Sequence, residues 1–360
     1  MDECQRLTES GSVHMNNMQK LIERFKNYRK VKYLTTVNRK GYAFVGVGMH
    51  SINNLIPVIN YLKIDLKYFV TKSLKNARLI DETYPHSRGT NDFDEVLNDK
   101  DVSGIFISSH PLSHYGLVKK ALEAGKNVFV EKPPCADTGE LKDLVEIEKA
   151  SKSICAVGLQ KQYAPYIKYL RKEMKNVSYN YRFVTGSYPE GDPYLDLFIH
   201  PLSLAVFLFG AVRQYNILKT KNAKTVFLQL KHENENVGTI ELSTDYSWHN
   251  AAEEMTINTP QKIYHVMDSE ELSYLPKQGH LLKIPLEKIR KPVNKYLVLQ
   301  KRNNFNPVLQ NNQLYTSGYF AEIETFVNIC EGREGINNSS LSSCMGVYQL
   351  IEQIKNNHVQ

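Results

Sequence analysis

The 360-residue chain predicts an α/β domain with a parallel sheet, followed by an α+β domain with a mostly antiparallel, open sheet. Three observations predict it. From Gly41 onward, short β-branched runs alternate with helical stretches, the pattern of right-handed βαβ units. After about Tyr163, strand-like runs follow one another across polar turns such as Glu233-Asn234-Glu235-Asn236, which suggests antiparallel pairing. The length, finally, exceeds one ordinary core and fits two domains of common size. The expected divisions are 1–40 for an N-terminal extension, 41–163 for the parallel α/β domain and 164–360 for the α+β domain.

In the first domain, strands are expected over Tyr42–Val47, Leu66–Thr71, Gly104–Ser108, Asn127–Val130 and Ile154–Gly158. Between them, apolar spacing predicts helices over Ile52–Leu62 (with Pro57 inside it), Leu74–Tyr84, Phe93–Asn98, Tyr115–Ala124 and Thr138–Lys152. The second domain is expected to open with a helix around Tyr166–Met174. Strands should follow over Tyr179–Val184, Gln214–Thr220, Thr225–His232, Val237–Thr244, Met255–Asn258 and Lys262–Met267. Lys277–Asn312 is polar and interrupted by prolines, which reads as a long loop or arm. Tyr319–Ile329 and Met345–Ile354 read as closing helices. The most apolar stretch, Leu195–Val212, contains Asp196 and His200 and falls short of the ~20 residues needed to span a bilayer. It reads as a buried helix.

The formal charge of +7 is concentrated near the start. Between Met15 and Lys40 stand Lys20, Arg24, Lys26, Arg29, Lys30, Lys32, Arg39 and Lys40 against Glu23 alone. Met18, Leu21, Ile22, Phe25 and Tyr28 recur there at helical spacing. The favoured reading of this basic amphipathic helix is an extension packing on its own body or on a sister subunit. An anionic membrane surface is the less favoured alternative. Nucleic-acid binding is not expected, because no basic patch interleaved with aromatics continues into the folded region. The first fourteen residues read as a loose tail, with no signal-peptide pattern. Five scattered cysteines without a CxxC pair support neither a disulfide framework nor a zinc site. A reducing, cytoplasmic setting is the expectation, and no metal is required.

Chemistry enters with Gly46-Val47-Gly48-Met49-His50-Ser51, directly after a strand and opening a helix. Gly46 permits a tight turn, Gly48 admits a close backbone approach, and the helix N-terminus supplies free N–H groups for a pyrophosphate. Ser51 replaces the usual third glycine. The strand–turn–helix context favours the dinucleotide site of a Rossmann domain over a tight turn with no ligand. The end of the second strand carries Thr71-Lys72-Ser73 where an acid would bind the ribose 2′-hydroxyl of NAD, so NADP(H) is favoured over NAD(H).

Two further elements close strands at the same sheet edge. One is Ser109-His110-Pro111 with His114, and the other is Glu131-Lys132-Pro133-Pro134. With these residues on the page, the chain from Gly41 onward resembles the Gfo/Idh/MocA family of NAD(P)-dependent oxidoreductases. The Glu-Lys-Pro motif, the Ser-x-x-x-x-His element and the glycine turn carry the resemblance in the expected order and spacing. Met49, His50, Ser109, His110, Pro111, His114, Glu131, Lys132 and Gln160 are accordingly expected near the dinucleotide.

Asp196 and His200 lie four residues apart, on one face of a helix. The resemblance implies that this pair joins Lys132 in the active site. His200 is expected as general acid or base, Asp196 as its orienting partner or a substrate contact, and Lys132 as the cation that stabilises developing oxygen charge. Tyr163, Tyr188, Asp192 and Tyr194 are candidate substrate contacts. The family often has Gly-Gly where this chain has Glu190-Gly191, and Asp where it has Ser203. The substrates that the resemblance implies are a sugar, a cyclic polyol or a nucleotide-linked sugar, handled by a homodimer or homotetramer. An inactive dinucleotide-binding sensor or assembly protein of the same fold is the alternative.

Overall fold

The computed structural model describes residues 17–28, 30–31, 37–281, 284–289 and 295–357. The expected N-terminal tail lies outside the described residues. The chain divides into two units, Met1–Arg39 and Lys40–Gln360. In the first, residues 17–28 are helical, as the apolar spacing predicts.

The second unit opens with a six-stranded sheet in the order β3-β2-β1-β4-β5-β6. Its strands are β1 (Gly41–Val45), β2 (Asp65–Val70), β3 (Arg88–Thr90), β4 (Val102–Ile107), β5 (Asn127–Glu131) and β6 (Cys155–Gly158). All its pairings are parallel. The strand order reverses between β1 and β4, and in such sheets a crevice opens at the carboxyl ends beside that reversal. Strand alternation sorts the two faces. Ala43, Val45, Ile105, Ile107, Val128 and Val130 join one core cluster, while Tyr42, Phe44, Phe106 and Phe129 join another.

Between these strands run α1 (Ile56–Tyr61), α2 (Leu74–Thr83), α3 (Phe93–Asn98), α4 (Pro111–Glu123) and α5 (Thr138–Ser151). The first helix differs from expectation. Residues 49–50 are already helical, Ser51–Leu55 is a π-helical turn, and α-helix resumes at Ile56 with Pro57 directly after the π turn. Proline has no N–H to donate and clashes with a carbonyl one turn back, so inside a helix it goes with a local departure from α geometry. Helix α4 likewise begins four residues earlier than Tyr115. Pro111 occupies its first turn and the Leu112 N–H donates to the His110 ring at 3.3 Å.

The second sheet has the order β16-β13-β12-β11-β7-β10-β9-β8. It comprises β7 (Ser178–Gly186), β8 (Val212–Lys219), β9 (Thr225–His232), β10 (Val237–Tyr246), β11 (Ala252–Asn258), β12 (Lys262–Met267), β13 (Glu271–Pro276) and β16 (Leu297–Lys301). Only β7 and β10 pair in parallel; the remaining pairings are antiparallel. A ribbon of β14 (His280–Leu281) and β15 (Ile284–Pro285) precedes β16. Strands β13 and β16 lie in segments without a strand expectation. The helix expected over Tyr166–Met174 shrinks to Ile167–Leu170 and a 3₁₀ turn at Arg171–Glu173. The Met174 carbonyl is taken by the Asn236 amide at 3.1 Å, a tertiary contact that stops the helix.

Three helices complete the unit: α6 (Ile199–Phe209), α7 (Tyr319–Cys330) and α8 (Leu341–Asn356). Helix α7 returns to the first sheet, where Phe326 meets Phe106 at 5.2 Å and Phe129 at 5.9 Å between ring centroids. Residues from the end of the chain therefore finish the core begun at its start. Among the described residues no helix is long and apolar enough to cross a membrane.

Candidate active site

The crevice beside β1 and β4 holds a cavity of about 1280 Å³. Two glycines shape its floor in different ways. Gly46 has φ +85°, and a Cβ there would sit 2.6 Å from the Ser108 carbonyl oxygen, so both backbone and space demand glycine. A Cβ on Gly48 would meet nothing within 4 Å and would project into open space. An open cradle beside a helix start is the form a pyrophosphate requires. Ser51 is buried, and its hydroxyl bonds the Ser108 hydroxyl at 2.9 Å, tying the β1 turn to the end of β4. A small residue at this position is what that approach allows.

Of the residues expected at a dinucleotide, Gly46, Gly48, Met49, His50, Ser51, Thr71, Lys72, Ser109, His110, His114, Glu131 and Lys132 line the cavity. Three do not. Ser73 caps α2 by accepting the Asn76 N–H at 3.2 Å. Pro111 is spent on starting α4. Gln160 lies in a 3₁₀ turn packed on Gly318, where a Cβ would be 2.0 Å from the Gln160 carbonyl oxygen. The sequence reading also missed part of the wall: Asn76, Asn91, Phe93 and Leu117. Asn91 follows β3, a three-residue strand with almost no periodicity to detect.

The Glu131-Lys132 pair ends β5. The Glu131 carboxylate is buried and lies 3.1 Å from the His50 ring, whose other nitrogen is 3.0 Å from the Asn54 amide. Lys132 is half-buried and its ammonium donates to the backbone carbonyl of Asp196. Burial pushes the lysine below its ordinary value, against the opposing pull of Glu131 and Asp196. His114 braces the loops on both sides. Its ring nitrogens lie 2.7 Å from the Pro133 carbonyl and 3.0 Å from the Ser109 carbonyl. Burial lowers the imidazole while the two carbonyl acceptors favour its charged form.

Asp196 sits in a second π-helical turn, Tyr194–Phe198, which leads into α6. Its carboxylate accepts the Tyr188 hydroxyl at 3.3 Å, and burial first and this carboxylate second raise that phenol to about 12. Gly191 makes room for it: a Cβ there would lie 2.2 Å from the Asp196 carboxylate. His200 follows in α6, half-buried, with Nδ1 enclosed and without a hydrogen-bond partner. Burial holds this imidazole well below its ordinary value, and the cations Lys132, Lys161 and His50 add to the effect. Lys132, Asp196 and His200 thus approach one another, although only the lysine lines the large cavity.

The other substrate candidates are engaged elsewhere. Tyr163 accepts the Asn338 N–H at 2.9 Å and holds the 337–339 loop. Asp192 accepts the Tyr194 N–H at 2.9 Å and pairs with Lys355. The Tyr194 ring packs edge-on against Phe198 at 5.6 Å. Ser203, at the position where a second acid is common, donates to the His200 carbonyl at 3.0 Å.

Lys161, not singled out as a site residue, pairs with the buried Glu253, which also accepts the Tyr181 hydroxyl and, at 3.0 Å, the Ser269 hydroxyl. No local motif announces this pair, because β11 supplies the acceptor, Glu253, and the turn after β12 a further donor, Ser269.

Residues 40–159 match the family model of the oxidoreductase family, NAD-binding Rossmann fold (Gfo/Idh/MocA). An uncharacterized oxidoreductase of Escherichia coli (strain K12) is 36% identical over 110 residues, covering 30% of this chain and 32% of that protein. The inositol 2-dehydrogenase/D-chiro-inositol 3-dehydrogenase of Lactiplantibacillus plantarum is 26% identical over 144 residues, covering 39% of each. These matches span roughly a third of each curated relative's length. The solved UDP-N-acetylglucosamine 3-dehydrogenase of Acidithiobacillus ferrooxidans superposes with a TM-score of 0.69 at 19% identity, covering 88% of this chain and 96% of that one. At that identity the likeness shows a shared fold.

Proposed function

We propose that the chain, whose residues 40–159 match the Gfo/Idh/MocA oxidoreductase family model, is a dinucleotide-dependent dehydrogenase. Its substrate is a secondary alcohol or ketone of a sugar, cyclic polyol or nucleotide-linked sugar. One observation carries this reading: Lys132 lines the dinucleotide-sized cavity while its ammonium reaches the turn bearing Asp196 and leading to His200. A cofactor in the cavity and a substrate at that turn would share this lysine. The curated inositol dehydrogenase and the structurally similar UDP-sugar dehydrogenase support the substrate range.

When bound, the nicotinamide supplies the hydride chemistry. The protein's part is to orient substrate and manage one proton. In alcohol oxidation His200, kept neutral by burial and neighbouring cations, accepts the hydroxyl proton. The Lys132 ammonium stabilises the negative charge that develops on the oxygen. Asp196, steadied by Tyr188, accepts a hydrogen bond from an adjacent substrate hydroxyl. Ketone reduction runs these roles backwards.

NADP(H) is the preferred cofactor in this reading. Thr71 and Lys72 line the cavity after β2, and among the described residues that line it the one carboxylate is Glu131 on β5. A lysine with hydroxyl neighbours suits a 2′-phosphate better than a bare ribose. The enzyme acts as a cytoplasmic homodimer or homotetramer, and the exposed cross-strand partners Leu218 and Phe227 support pairing through the second sheet.

Fluorescence titration with NADPH and NADH, followed by sugars, cyclic polyols and nucleotide sugars at the nicotinamide absorbance band, tests the reading. Tighter NADPH binding and turnover of one polyhydroxy substrate are expected. Dinucleotide binding without turnover on any such panel favours the sensor alternative, and no binding at all removes the proposal.

A further inference from the structure

His50 occupies the first turn after the two cavity glycines, and its side chain is 42% exposed. It is nevertheless held at both ring nitrogens. One lies 3.1 Å from the buried Glu131 carboxylate, and the other is 3.0 Å from the Asn54 side-chain amide. The ring also leans on Tyr319 of α7, 6.2 Å between centroids. With Nε2–H donating to Glu131, Nδ1 accepts from the Asn54 amide, and the ring is neutral and fully satisfied. A second proton on Nδ1 needs only a half-turn of that amide to present its oxygen instead. The geometry therefore accommodates both charge states with one small rotation.

The surroundings favour the second proton. Burial opposes a charged ring and Lys132 repels it, yet the hydrogen bond and charge of Glu131 outweigh both and raise the imidazole above its ordinary value. Glu322 of α7 stands behind Glu131 and Tyr319, and His200 feels the His50 charge across the site. Among the described residues lining the cavity Glu131 is the one carboxylate, and a pyrophosphate at the Gly46–Gly48 turn would bring a second anion to His50.

We infer that dinucleotide binding takes up a proton at His50, so that the Glu131-anchored ring supplies a cation to the pyrophosphate only when protonated. The inference rests on the dinucleotide reading of the cavity. Linkage makes it reciprocal: an anion that favours the charged ring binds less tightly as pH removes the proton. Affinity falls as pH rises above the free protein's raised value, by at most about tenfold per pH unit.

The test uses NADH, which lacks the 2′-phosphate whose own ionisation near pH ~6 would overlap. Dissociation constants for the full chain are measured from about pH 6 to 9, with His50→Gln and His110→Gln in parallel. His110→Gln controls for the other exposed imidazole lining the cavity. The expected result is a roughly tenfold or greater weakening for the wild type and for His110→Gln, and less than about twofold for His50→Gln. Calorimetry of the wild type in two buffers of different ionisation enthalpy reports proton uptake without any variant. A flat wild-type profile with NADH still bound, no buffer dependence, or a slope that survives in His50→Gln overturns the inference and leaves the dinucleotide reading standing. Absence of binding at every pH overturns both.

Discussion

Two π-helical turns carry the two sides of this site, Ser51–Leu55 after β1 and Tyr194–Phe198 before α6. Such turns are rare and occur mostly where a helix has been adapted to a local task. Around the first, Gly48 faces open space and the cavity wall is largely exposed. Around the second, Asp196 and Tyr188 bond each other and the His200 Nδ1 is enclosed without a partner. In the proposed function the same backbone device serves an open binding surface in one region and a desolvated reacting group in the other. Exposure separates the two tasks. A phosphate-sized ligand needs empty space and N–H groups, whereas a proton-transfer group needs an environment that sets its charge.

If that division is right, substitutions on the two sides fail in different ways. The largest effects belong to the desolvated side. Lys132→Met and His200→Ala are each expected to lower turnover by about 10²–10⁴-fold. Dinucleotide dissociation constants should stay within about threefold, as read by steady-state rates beside cofactor titration. Unimpaired turnover in either variant breaks the assignment of roles.

On the open side the two glycines should part company. Gly46→Ala meets a carbonyl oxygen at 2.6 Å in a backbone conformation with φ +85°, and should destabilise by roughly 1–3 kcal/mol. Gly48→Ala meets no protein atom within 4 Å. It should leave the melting temperature unchanged and weaken cofactor binding. Equal melting temperatures for the two variants would contradict the geometry.

The pH profile sharpens the contrast further. At saturating cofactor, the acid fall of kcat/KM for alcohol oxidation is expected below 6.5, because burial and nearby cations hold His200 down. The alkaline fall should begin below 10.5, as the half-buried Lys132 loses its proton. An acid limb centred at the ordinary imidazole value argues for a solvated His200.

The smallest effect concerns Glu322, buried in α7 with one oxygen accepting the Leu159 N–H at 2.7 Å and the other without a partner. Burial, and then Glu131, raise this carboxyl well above 4.5. The native state keeps a proton that the unfolded chain has lost, so stability falls as pH climbs from the ordinary carboxyl value toward the raised one. Glu322→Gln retains the Leu159 bond and should gain about 1 kcal/mol at neutral pH and nothing near pH 4. A calorimetric melting series at the two pH values reads this difference.

Much of the first region was legible because its signals are local. Phe93–Asn98 matches its expected helix end to end, and β9 and β12 match their expected strands. Twelve of the fifteen expected cofactor residues line the cavity, since a strand end and a glycine turn place side chains within a few residues of each other. The second region was legible only as a motif. Spacing placed Asp196 and His200 together, but neither the π turn nor the orphaned Nδ1 has a signature of its own. Tyr163 and Asp192 have partners far along the chain, the 337–339 loop and Lys355, and Tyr194 packs on Phe198 one turn on; no spacing rule announces the first two.

Periodicity and turn chemistry along the chain sufficed for the two-sheet architecture and the open glycine turn, while the proposed charge-handling residues rested on the family resemblance. The first two depend on neighbours a few bonds away. The return of α7 to the first sheet, the pairing of Lys161 with Glu253 and the approach of Lys132 to Asp196 depend on which surfaces bury one another. Those contacts join residues far apart in the chain. Their free energy comes from desolvation and packing that exist only once the whole unit has closed.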